Sequence, residues 1–261
     1  MADDETPEST RPSPLPPGLA TLYPDVGLAG SLVAALQAEL GRAGFDLSVK
    51  VPQEPGWRYS GATIRNDHRH TRVLLGSEER WFILEFWERG VGMGQGKTAD
   101  LAAAAGSIGL WQSDTTLREL QNAWPFVHYG ELAEAYEHGD PVETKCSIYR
   151  QSRASRIDHD LIEAAYAQPQ LRQLFPYTSH RSLHLSRATR PPFTRDLPVI
   201  WPLPDGRYSV VRPGSPPRGK GEIGLADTPQ EAVALLQAHL PDNCGPATDG
   251  TVEDHDKTDP E

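Results

Sequence analysis

Between residues 60 and 98 the hydrophobic positions come in short runs. YSGATIR, TRVLLGS and RWFILEFWE are rich in β-branched and aromatic residues, and the polar turns NDHRH and SEE separate them. Runs of this kind, bounded by turn-forming residues, predict strands joined by hairpins. GVGMGQG completes the set as a fourth strand. The third run is apolar at every position from 81 to 84, which predicts a central strand covered on both faces. The period then changes. In TADLAAAAGSIGLW, Leu101, Ala104, Ile108 and Trp111 recur at helical spacing as one apolar stripe. Upstream, Leu28, Leu32, Leu36 and Leu40 predict a helix over 28–40, stopped by Gly41 and Gly44. A further short helix is expected near 116–123.

The second half repeats the pattern after two helices. Asp140, Pro141 and Glu143 are the start signals of a helix over 140–152. RIDHDLIEAAYAQ predicts another over 156–168, with Ile157, Leu161, Ile162 and Ala165 facing inward and Pro169 ending it. Strand runs follow in HRSLHLS, LPVIW, RYSVVRP and GKGEIGLA, with Asp205-Gly206 as a hairpin turn. TPQEAVALLQAHL closes the series as a helix. The halves can be aligned: Arg80–Leu84 lies on Arg207–Val211, and VGMGQGKTADLAAAA lies on GEIGLADTPQEAVAL. The expected fold is therefore α+β, with two similar units of antiparallel strands followed by a helix and joined by a helical segment. The expected divisions are an N-terminal unit over 21–139, a helical connector over 140–176 and a C-terminal unit over 177–241.

Charge refines this outline. The chain has a formal net charge of −11. Residues 1–20 hold four acids against one arginine, and residues 242–261 hold seven acids against one lysine. Both segments are nearly free of large apolar residues and are expected to be disordered acidic tails. Residues 172–220 are the reverse, with nine Arg/Lys against two Asp. The acidic C-terminal segment has the charge to fold back onto them. The N-terminus is polar and acidic, no apolar run reaches membrane length, and the two cysteines form no framework, so a cytoplasmic protein is expected.

GVGMGQGKT resembles a phosphate-binding loop between strand and helix. That motif needs glycine five residues before the Gly-Lys-Thr, and the residue there is Val91. The second copy has Asp227 in place of Lys97 but keeps a threonine. What the copies share is a helix cap, Thr98 in one and Thr228 in the other, the latter within a T-P-Q-E capping box. Asp67-His68-Arg69-His70 offers two histidines on one face if extended, but a catalytic zinc needs three ligands in fixed geometry, and a solvated turn accounts for the residues equally well. Asp158-His159-Asp160 suits a helix N-terminus. No Ser/His/Asp or Cys/His set and no cofactor motif stands out. The arginines of 172–220 are interleaved with Tyr177, Phe193, Trp201 and Tyr208. This mixture favours an anionic small ligand or an acidic protein partner over nucleic acid, because the chain as a whole is acidic.

LIEAAYAQPQLRQLFPYTSH, residues 161–180, together with SLHLS, TRPPF and ADTPQEAVALLQAHLP, resembles the bacterial domain of unknown function 6193 family. YPDVGLAGSLVAAL and LRELQNAWPFV extend the likeness toward the N-terminus. Members of that family carry the label natural-product biosynthesis protein. The family often has an aromatic residue after the TSH histidine, where this chain has Arg181. The resemblance implies no reaction, cofactor or catalytic residue.

The expected function is a non-catalytic accessory or binding protein associated with natural-product biosynthesis. Its expected binding surface is Tyr177, His180, Arg181, His184, Arg187 and Trp201. Two other readings remain open on the sequence. One is a biosynthetic enzyme using His180 or His184 as a general base between the two units. The other is an immunity- or chaperone-like interaction module.

Overall fold

A computed structural model describes residues 14–53, 60–152 and 158–254. The protein is α+β and divides into two compact units, Met1–Glu137 and His138–Glu261.

The first unit opens with three helices, α1 (Pro17–Leu22), α2 (Pro24–Ala29) and α3 (Leu32–Arg42). The single helix expected over 28–40 is thus broken. Gly30 takes a left-handed φ of +87°, and the Ser31 side chain restarts the helix by accepting from the Ala34 amide at 3.1 Å. Leu32, Leu36 and Leu40 are buried, whereas Leu28 sits on α2 and is 91% exposed. Residues 14–20, expected to belong to a tail, include the start of α1; residues 1–13 lie outside the described residues.

Next come β1 (Val49–Lys50), β2 (Gly61–Arg65), β3 (Arg69–Leu75), β4 (Phe82–Glu88) and β5 (Val91–Thr98). Then follow α4 (Leu101–Gln112), α5 (Leu117–Ala123), β6 (Val127–His128) and α6 (Glu131–His138). The six strands form one antiparallel sheet in sequence order. Ala62, Ile64, Val73, Phe82, Leu84, Phe86 and Met93 face a core shared with α3 and α4. Trp111 of α4 is fully buried, edge-on to Phe86 at 5.9 Å. The expectation that β4 is covered on both faces fails: Ile83 is 37% exposed. Gly94 and Gly96 of β5 face the core side. A Cβ there would lie 3.2 Å from the His128 carbonyl and 3.0 Å from the Phe126 carbonyl. The glycines of GVGMGQGKT let the 126–128 backbone approach the strand.

Thr98 is not the cap of α4. It pairs with Phe82 in the sheet, and Asp100 caps the helix by accepting from the Ala102 amide at 2.8 Å. Thr228 does cap its helix, in a full capping box with Glu231.

The second unit begins with α7 (Pro141–Gln151), capped by Asp140, and α8 (His159–Tyr166), capped by Asp158. Ile157 lies outside the described residues. Five strands follow: β7 (Phe175–Ser179), β8 (Ser182–Ser186), β9 (Val199–Pro202), β10 (Tyr208–Val211) and β11 (Glu222–Ala226). They form an antiparallel meander, and α9 (Pro229–Gln237) closes the unit. Strand β7 falls in FPYTS, a stretch that carried no strand expectation. Leu161, Ile162 and Ala165 of α8 are buried with Leu183, Ile200, Val210, Val233 and Leu236. Residues 140–176 therefore belong to the second unit and are not a connector. The repeat is also larger than the strand-and-helix unit read from sequence. In both units a helix precedes a five-strand meander and a helix follows it: α3, β1–β5, α4 and α8, β7–β11, α9.

The acidic segment after 241 folds back on the basic one as far as residue 254. Thr248 forms a parallel bridge with Ala188, and the Arg190 amide donates to the Gly250 carbonyl at 2.8 Å. Asp249 accepts from Arg190 Nε at 2.8 Å and from the Thr189 hydroxyl at 3.0 Å. The expected tail is thus ordered over 242–254, because backbone bonds and a buried arginine hold it.

Candidate ligand-binding faces

Each sheet has one face on its core and one turned away, and the outward faces carry the chemistry. In the second unit, β8 pairs with β9 through Leu183 and Ile200, both buried. Their neighbours His184 and Trp201 therefore point to the other face. Tyr177 joins them, since it pairs with His184 across β7–β8. The Tyr177 and His184 rings stack at 4.8 Å, and Phe193 stacks on Tyr177 at 4.5 Å and on Phe175 at 5.5 Å. Burial raises the Tyr177 pKa, and burial with the nearby Arg195 lowers that of His184.

His180 and Arg181 are the two central residues of the β7–β8 hairpin, with φ of +50° and +74°. Paired left-handed residues are the geometry of a tight primed turn, so this pair has a structural task. His180 Nδ1 lies 3.0 Å from the Ser179 hydroxyl. Ser182 Oγ and His184 Nε2 are 2.8 Å apart, a contact that resembles a nucleophile and base. Ser182 is fully buried, however, and its hydroxyl donates to the Ser179 carbonyl, so the pair is built into the hairpin. Arg187 forms an ion pair with Asp196 at 2.6 Å. The structure thus gathers Tyr177, His184 and Trp201 on one face, assigns His180 and Arg181 to a turn, and engages Arg187 in a salt bridge.

The basic character of 172–220 is answered in part within the unit. Arg190 pairs with Asp249, and Arg207 and Arg218 both pair with Asp205.

The outward face of the first sheet is built differently. Registers across its strands set Lys50, Thr63, Arg72, Glu85, Gln95 and His128 in one row. A second row runs Arg65, His70, Trp87 and Gly92. The His70 and Trp87 rings stack at 5.6 Å with 9° between their planes. Two hollows of about 520 and 480 Å³ lie over β4–β6 and share Glu85, Gln95 and His128. Trp87 and Tyr129 line the first, and Trp81, Ile83 and Phe126 the second. A third hollow of about 270 Å³ is lined by Lys50, Gln53, Thr63, Arg65, His70 and Arg72, with Val51 and Pro52. Burial, helped by Arg65 and Arg72, lowers the His70 pKa to about 4, so the ring is neutral at neutral pH.

Sequence reasoning missed this face. A signal existed in the alternation of Arg65, His70 and Arg72 with apolar positions, but the set spans six strands. The Asp67–His70 stretch does not form a metal centre. His68 lies 3.0 Å from Asp114, Arg69 turns inward to Glu88 at 2.9 Å, and His70 stacks outward on Trp87.

The fold defines a two-unit α+β protein with a meander in each half. Residues 140–251, nearly the whole second unit, match the model of a family of unknown function, DUF6193. No curated protein and no solved structure matches the chain. No helix among the described residues is long and apolar enough to cross a membrane.

Proposed function

We propose that the protein is a non-catalytic binding protein that holds a small molecule on the outward face of its first sheet. One observation supports this above the others: two hollows of about 520 and 480 Å³ share a polar floor of Glu85, Gln95 and His128. Their walls are aromatic, from Trp81, Trp87, Phe126 and Tyr129. Ligand sites are commonly concave, apolar-walled and roughly 300–1,000 Å³, with a few polar groups that set orientation. The label natural-product biosynthesis, carried by the family that residues 161–180 resemble, makes a biosynthetic intermediate the ligand to look for. That link is one of association. The surface expected in the second unit is subordinate in this reading, because its rings stack on one another and Arg187 is held by Asp196.

The test is purification of the full chain from its native host, followed by native mass spectrometry. A stoichiometric small molecule on the wild type that is absent from Gln95→Trp supports the reading. Gln95 is exposed, so the indole fills the groove without disturbing the core. Ligand-free protein from the host, or a ligand that Gln95→Trp retains, contradicts it.

A further inference from the structure

We propose that the hollow over β1–β3 is an anion site that takes a phosphate monoester, with the body of the same molecule lying over Trp87 in the adjoining groove. The inference rests on the binding reading above and adds the chemical class of the ligand. Lys50 and Arg72 flank Thr63 in one row, and Arg65 stands beside His70 in the next. All of them line one hollow of about 270 Å³. Of the three cations, only Arg72 has a carboxylate within this face, Glu85 at 3.4 Å. Among the described residues Lys50 and Arg65 have no ion-pair partner.

Like charges gathered on adjacent strands repel, and an anion between them removes that penalty. Among the described residues three cations stand against one carboxylate, a balance that suits a dianion better than a carboxylate. The Thr63 hydroxyl and Gln53 amide supply further hydrogen-bond donors. The neutral His70 ring adds no competing charge. It also forms the shared wall, since it lines the anion hollow while Trp87, stacked on it, lines the 520 Å³ groove. A phosphate held by Lys50 and Arg65 therefore directs its ester substituent toward an aromatic surface.

The probes are phenyl phosphate, inorganic phosphate and acetate, titrated into the full chain and followed by the ring resonances of His70. Phenyl phosphate is expected to bind saturably and more tightly than inorganic phosphate, and acetate most weakly. The Lys50→Ala/Arg65→Ala variant is expected to lose at least tenfold in affinity, and the His70 titration midpoint to rise when phosphate is bound. Absence of saturable binding, equal binding of acetate, or unchanged affinity in the double variant overturns the proposal. The binding reading fails separately: a ligand captured from the host and lost in Gln95→Trp leaves it standing even when phosphate does not bind.

Discussion

The two sheets share an order of elements but finish their outward faces in opposite ways. In the second unit the chain covers its own face. Phe193 stacks on Phe175 and Tyr177, and the segment around it is held by the 247–252 strand-like return through Asp249. In the first unit the corresponding face keeps Lys50, Arg65, Ile83 and Gln95 exposed or half-buried, with hollows between them. A repeated scaffold can thus devote one copy to stability and leave the other to bind. The part that matches the DUF6193 model is the covered copy.

The largest effect should come from the first core. Trp111→Ala removes a fully buried indole that packs on Phe86 and carries the Arg69 guanidinium 3.9 Å from its ring. A loss of about 3–5 kcal/mol is expected. If the units are separate cores, chemical denaturation monitored by circular dichroism should become biphasic, with the second unit unfolding at its original midpoint. A single shifted transition would merge the two units into one cooperative body.

Next in size is the return of the C-terminal segment. Asp249→Ala removes the carboxylate that accepts from Nε of Arg190, whose side chain is 4% exposed. The expected cost is about 2 kcal/mol. Hydrogen exchange should rise at Thr189 and Arg190, and phosphate or phenyl phosphate binding should not change.

The pH response should also separate the halves. The folded pKa of His70 is about 4, below its ordinary value of 6.5. Its contribution to stability is complete above pH 6.5 and is lost as pH falls toward 4, because the unfolded chain takes up the proton first. His70→Phe should flatten the first unit's acid-side slope between those values in denaturation curves. An unchanged slope would assign that loss to other groups.

The smallest effect contrasts the caps. Thr228→Ala and Asp100→Ala should each cost about 1 kcal/mol, whereas Thr98→Ala should cost less than about 0.5 kcal/mol. Thermal melts of the three variants check the order.

That last contrast shows what was legible in the sequence. The T-A-D and T-P-Q-E stretches both announce a helix start, but which residue caps depends on where the preceding strand ends. Pairing of Thr98 with Phe82 carries β5 to that position and passes the cap to Asp100. Strands β2 to β5 and β8 to β11 were readable from their runs, and so was the repeat. The two-residue strands β1 and β6 were not, since no periodicity exists over two residues. The acidic return at 242–254 has the composition of a tail, because the backbone bonds and the buried arginine that hold it leave no mark on composition. The site escaped for a related reason. Lys50, Arg65 and Arg72 meet only through the β1–β3 registers, and Trp87 and Gln95 only through those of β4 and β5.

The most direct test of the account sets one face against the other. Gln95→Trp fills the first sheet's groove, and Leu225→Trp adds the same bulk to an exposed position on the second sheet. Both full-length variants are purified from the native host beside the wild type and weighed by native mass spectrometry. The account predicts a bound small molecule on the wild type and Leu225→Trp and none on Gln95→Trp. Loss of the ligand from Leu225→Trp with retention on Gln95→Trp would contradict it.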